Sequence, residues 1–124
     1  MTQANEATAK YLVNCQAGVS DPERATLAFI LAFTASKTNE TAMFISGEAT
    51  ELVLQGGADK VTAPGYEPLS DLLNGYIENG GQIWLCPACV KAKQVGEGDI
   101  IPGVEVAGAP KTMAYLASGA HTLI

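Results

Sequence analysis

Five short apolar segments alternate with helix-forming segments along this chain, and no two neighbouring strands are joined by a tight turn of the hairpin kind. Parallel strands need a crossover of about a dozen residues or more, usually helical, whereas antiparallel neighbours can be joined by a two-residue loop. The alternation therefore predicts an α/β fold: three-layer α/β/α with a mainly parallel five-stranded sheet and helices on both faces.

Residues 9–15 (A-K-Y-L-V-N-C) form the first expected strand, with Gly18 in the loop after it. Ser20-Asp21-Pro22-Glu23 then predicts a helix start, in which Ser20 accepts from the Glu23 amide, Glu23 reaches back and Pro22 sits in the first turn without cost. That helix runs to about Lys37. Residues 41–46 are the second strand, followed by Gly47-Glu48 and a short helical segment over residues 51–55 that Gly56-Gly57 stops. Leu69, Leu72, Leu73, Tyr76 and Ile77 fall at helical spacing with Asp71, Asn74 and Glu78 opposite, the clearest amphipathic helix of the chain. Gly80-Gly81 ends it. Residues 82–86 make the third strand, 87–94 a helix, 104–107 the fourth strand, a last helix opens at Pro110, and residues 121–124 close as a terminal strand.

The length of 124 residues suits one domain over residues 9–124 behind a polar, flexible tail over residues 1–8. A net charge of -6 argues against nucleic acid and anionic membranes, both of which reward a basic surface. The tail carries no Lys or Arg, and the longest apolar run, residues 27–33, is far short of the roughly 20 residues that span a bilayer. These features predict a cytoplasmic protein without a membrane segment. The run 27–33 is apolar on every side of its helix, so its outer side needs cover as well, from a second copy of the chain or from a neighbouring loop.

Three cysteines are too few, and odd in number, for a secreted disulfide framework, so Cys15, Cys86 and Cys89 are expected as thiols. Cys86-Pro87-Ala88-Cys89 stands where the third strand becomes a helix, at the carboxyl edge of the sheet, where open parallel sheets bind ligands. Unsatisfied amides and the helix dipole favour a sulfur anion at such a junction, and Lys91 and Lys93 add positive charge. Cys86 and Cys89 are thus the candidate catalytic residues. The plainer reading is that both sulfurs pack into the apolar layer, where cysteine is common.

A structural zinc site wants four ligands, and Cys15, Cys86, Cys89 and His121 are all the chain offers. In a parallel sheet His121 begins its strand and falls at the opposite edge, so no metal is expected, and no cofactor either, since phosphate loops and dinucleotide fingerprints are lacking. Cys15 falls at the same edge as the pair, as a third thiol or, more simply, a small buried filler. Glu48 also falls there, to orient a substrate or merely as a solvated carboxylate. The C-x-x-C resembles that of thioredoxin, but that fold needs several strands and a long helix downstream, and only residues 90–124 follow Cys89.

Three stretches carry a resemblance to a known family: Asp21-Pro22-Glu23-Arg24-Ala25, Phe44-Ile45-Ser46-Gly47-Glu48, and the run from Gly80-Gly81-Gln82-Ile83-Trp84-Leu85 through Cys86-Pro87-Ala88-Cys89 to Val90-Lys91-Ala92-Lys93. From Ala9 to Ile124 the chain resembles the DsrE/DsrF-like family of small sulfur-relay proteins. The resemblance implies a sulfur carrier or sulfurtransferase-like protein in which Cys86 holds a persulfide and Cys89 is a resolving or disulfide-forming second thiol. It further implies assembly as a homotrimer or homohexamer and exchange with a sulfur-donor or sulfur-acceptor protein. A thiol-disulfide redox protein using the same pair and a non-catalytic oligomeric binding module are the other readings of these residues. Lys93-Gln94 stand where relatives often show Arg-Gly, and Ala49-Thr50 where Gly-Val is common.

Overall fold

The computed structural model describes residues 8–124, so the tail expected over residues 1–8 lies, apart from Thr8, outside the described residues. Its strands are β1 (Lys10–Cys15), β2 (Glu40–Ile45), β3 (Gln82–Leu85), β4 (Val104–Val106) and β5 (His121–Leu123). Between them run α1 (Pro22–Ser36), α2 (Leu69–Glu78), α3 (Pro87–Ala92) and α4 (Ala109–Ala117). Three 3-10 turns, Gly47–Val53, Ala58–Lys60 and Glu97–Asp99, complete the connections.

The strands lie in the order β4-β3-β2-β1-β5, and all four pairings are parallel, as the alternation predicts. Handedness then sorts the helices. Steps from β1 to β4 move in one direction, and right-handed crossovers place α1, α2 and the β3–β4 connection on one face. The step back from β4 to β5 reverses direction and puts α4 on the other.

Side chains follow this division. Val13, Met43, Ile45, Ile83 and Leu85 meet Ala28, Phe29 and Ala32 of α1 and Leu69, Leu72 and Tyr76 of α2 in the main core. Each large apolar side chain so buried contributes about 1.5–3 kcal/mol relative to exposure. Alternate strand residues Leu12, Ala42 and Trp84 form a smaller cluster on the opposite face, under Tyr115 and Leu116 of α4. There Trp84 and Tyr115 meet edge to face, with ring centroids 5.2 Å apart.

Three local details depart from the sequence expectations. The N-cap of α1 is Asp21, whose Oδ1 accepts from the Arg24 amide at 3.3 Å, and Ser20 is not the cap. Ser20 and Glu23 are engaged elsewhere: the Ser20 hydroxyl donates to Glu48, and Glu23 accepts from the Tyr66 hydroxyl. The helical turn after β2 begins at Gly47 and is of the 3-10 kind, earlier than the expected 51–55. Finally, β3 stops at Leu85, and Cys86 serves as the N-cap of a helix that ends at Ala92.

The outer side of α1 stays bare. Ala25, Ala28, Phe29 and Ala32 are buried against the sheet, whereas Leu27 and Leu31 are 42% and 39% exposed among the described residues. Among the described residues no helix is long and apolar enough to cross a membrane.

Candidate functional site

Register carries the chemistry-bearing residues to one edge. Cys15, Ile45, Leu85 and Val106 form a single row across β1, β2, β3 and β4 at their carboxyl ends. One residue further on, the Ser46 amide donates to the Cys15 carbonyl and the Cys86 amide to the Ile45 carbonyl. The three loops that leave β1, β2 and β3 therefore start side by side.

The β2 loop is the hub. Gly47 adopts φ +58°, the left-handed region that favours glycine, and its amide donates to Cys89 Sγ at 3.3 Å. The next residue turns the other way: the Glu48 carboxylate accepts from the Gly18 amide (3.1 Å), the Ser20 amide (3.3 Å) and the Ser20 hydroxyl (2.7 Å). These donors, the Ser20 hydroxyl foremost, hold the Glu48 carboxyl below the usual carboxylate range. Close approach requires glycine at position 18, since a Cβ there would come within 2.6 Å of the Glu48 carbonyl oxygen. Glu48 thus ties the β1–α1 loop to the β2 turn and is more than a solvated carboxylate.

Cys86 and Cys89 are both half-buried, free thiols. The Cys86 carbonyl accepts the first helical bond, from the Val90 amide at 3.1 Å, but its side chain caps no amide of α3. The amide that reaches a sulfur belongs to Gly47, and the sulfur is that of Cys89. This contact lowers the Cys89 thiol pKa from its ordinary value; partial burial opposes the shift, while Cys86, the Thr50 hydroxyl and the Lys93 charge assist it. Thr50 itself is fully buried, and its hydroxyl makes no formed hydrogen bond among the described residues.

Cys15 contrasts with the pair. It lies in the main core, its thiol donates to the Ala17 carbonyl at 3.5 Å, and burial pushes its pKa up to about 11. One strand, β2, lies between β1, which ends at Cys15, and β3, which Cys86 follows. His121 sits at the start of β5, at the opposite edge, with its ring 6.0 Å from that of Tyr11. Among the described residues no group of three His, Cys, Asp or Glu side chains is placed to hold a metal ion. A cleft of about 740 Å³ opens beyond Glu48, between α1 and the carboxyl ends of β1 and β5, and neither Cys86 nor Cys89 lines it.

Gly47 and Thr50 are the site residues that sequence reasoning does not single out. A glycine directly after a buried strand, at the edge where thiols gather, is the available signal for the first. For Thr50 the signal is the departure at Ala49-Thr50 from the Gly-Val common in relatives, which does not reveal its relation to Cys89, because that exists only through the turn of the 3-10 segment.

Comparison with known proteins agrees with this architecture. An uncharacterized protein from Methanocaldococcus jannaschii, MJ0760, is 30% identical over 100 residues, covering 80% of this chain and 36% of that protein. The chain thus spans little more than a third of that relative's length. Among solved structures, the YchN protein from E. coli superposes with a TM-score of 0.71 at 17% identity, covering 94% of this chain and 97% of YchN. A protein of unknown function from Methanobacterium thermoautotrophicum, MTH1491, gives 0.63 at 9% identity over 94% and 96% of the two chains. These two likenesses establish the fold. The sequence model of the DsrE/DsrF-like family matches residues 9–124, and the chain belongs to that family.

Proposed function

We propose that this protein is a sulfur carrier that holds sulfane sulfur as a persulfide on Cys86, with Cys89 beside it as the thiol that bears charge. The observation that carries the reading is the 3.3 Å hydrogen bond from the Gly47 amide to Cys89 Sγ at the carboxyl edge of a parallel sheet. Thiolate, not thiol, is the nucleophile in sulfur chemistry, and this contact favours it. Family membership supports a sulfur-relay role of the same general kind. The partners under this reading are a sulfur-donor or sulfur-acceptor protein and further copies of the chain, packed through Leu27 and Leu31 on the bare side of α1.

Mass spectrometry after incubation with inorganic polysulfide and removal of the donor tests the proposal. The expected result is one added sulfur atom, assigned by fragmentation to Cys86, and none on Cys15. Loss of two hydrogens across Cys86 and Cys89 without added sulfur would turn the reading to thiol-disulfide exchange on the same pair. No change at either thiol would leave a non-catalytic binding module.

A further inference from the structure

A carrier with two adjacent thiols must take sulfur in through one of them, and the turn over Gly47–Val53 distinguishes the two. It presents two donors on the Cys89 side. One is the Gly47 amide, aimed at Cys89 Sγ by the positive φ of Gly47. The other is the Thr50 hydroxyl, fully buried and without a hydrogen-bond partner among the described residues. A buried hydroxyl in that state is a cost to folding unless an acceptor arrives. A sulfur anion is such an acceptor, and Thr50 is among the groups that favour the anionic form of Cys89.

We propose that the Gly47 amide and the Thr50 hydroxyl form a two-donor hole for the sulfur anion of Cys89, which makes Cys89 the thiol through which sulfane sulfur enters and the thiolate that departs when sulfur passes to Cys86. This rests on the sulfur-carrier reading. In the first step the Cys89 thiolate attacks the outer sulfur of a persulfide R–S–SH. A bond forms between Cys89 Sγ and that sulfur, the donor S–S bond breaks, and R–S⁻ leaves and takes up the persulfide proton, giving RSH and Cys89–S–S⁻. In the second step the Cys86 thiol gives its proton to that terminal sulfur, and the Cys86 thiolate so formed attacks it. The Cys89 sulfur leaves as thiolate into the two-donor hole, and the products are Cys86–S–SH and Cys89–S⁻. No oxidant or reductant is consumed, and a thiol whose anion is stabilised is the better leaving group.

The test compares Thr50→Val with Thr50→Ser in the full chain, reading the pH dependence of Cys89 alkylation in a Cys86→Ser background and the rate of sulfur gain from inorganic polysulfide with both thiols present. Thr50→Val is expected to move the alkylation profile to higher pH and to slow sulfur gain roughly tenfold at neutral pH, as loss of one hydrogen bond to a charged group predicts. Thr50→Ser is expected to restore both. The melting temperature of Thr50→Val should not fall, because Val fills the same space without the orphan hydroxyl, so packing loss alone does not mimic the effect. Thr50→Ala gives the same profile shift on a differently packed chain. An unshifted profile in both hydroxyl-free variants overturns the two-donor hole, and so does sulfur gain at the parent rate in Cys89→Ser. A shifted profile with no sulfur gained by any variant sinks the carrier reading and keeps the two-donor hole.

Discussion

Cys15 and Cys89 belong to the same edge of one sheet, yet their surroundings drive them in opposite directions. Cys15 ends β1 with its side chain beneath α1, and desolvation raises its pKa to about 11. Cys89 stands in the first turn after β3, where a backbone amide from the neighbouring loop reaches its sulfur and the pKa falls. The edge of a parallel sheet is therefore not by itself an activating environment. What lowers the pKa of a thiol there is an amide left free to point at it, here that of Gly47, whose φ of +58° lies in the left-handed region.

Alkylation should show the largest difference. At pH 8 about one Cys15 in a thousand is ionised by its pKa of about 11, and the side chain is 2% exposed. Iodoacetamide should modify Cys89 at least about a hundredfold faster than Cys15, as peptide mapping can follow. Comparable rates would break the contrast.

The next effect is on stability. The ordinary pKa of the Cys15 thiol, taken for the unfolded chain, is 9.0, and the folded value is about 11. As pH rises the unfolded state loses its proton first, so the Cys15 contribution is intact below about pH 9 and is lost between about pH 9 and 11, by roughly 2–3 kcal/mol. Urea titrations of parent and Cys15→Ala chains across that range should show the parent falling relative to the variant. Cys89 has the opposite sign: its lowered pKa contributes stability above the unfolded value, and that contribution is lost as pH falls through the folded value.

A smaller change should follow Gly47→Ala. The new methyl group meets only the Gln16 carbonyl oxygen at 3.7 Å, so its penalty of about 1 kcal/mol comes from the backbone at φ +58°. If the turn relaxes to relieve it, the Cys89 alkylation profile moves toward that of an ordinary thiol, which stopped-flow alkylation would detect. The smallest effect is expected from Glu48→Gln, which weakens the tie to Gly18 and Ser20. Its melting temperature should sit slightly below that of the parent near neutral pH, and the difference should vanish in acid, as the parent carboxylate is protonated below its depressed value.

The layered fold is legible in the sequence because a strand buried on both faces must be apolar throughout, while α2 shows its polar side at positions 71, 74 and 78. Strand ends are less legible by one residue, and at Cys86 that residue matters, since it becomes a helix cap. The capping pattern at Ser20 fails because hydroxyl and carboxylate groups bond wherever partners are nearest. Glu48 is 28 positions away along the chain but adjacent in space, and it takes Ser20 from the helix.

By itself, then, the sequence determined the alternation, the parallel sheet and the placing of Cys86 and Cys89 at the carboxyl edge of that sheet, where the third strand becomes a helix. These follow from hydrophobic periodicity and chain connectivity, which are local properties of the polymer. Only the tertiary structure decided which sulfur receives a donor. That donor comes from a loop 42 residues away, and hydrogen-bond geometry across such a separation is set by strand register, which periodicity does not encode.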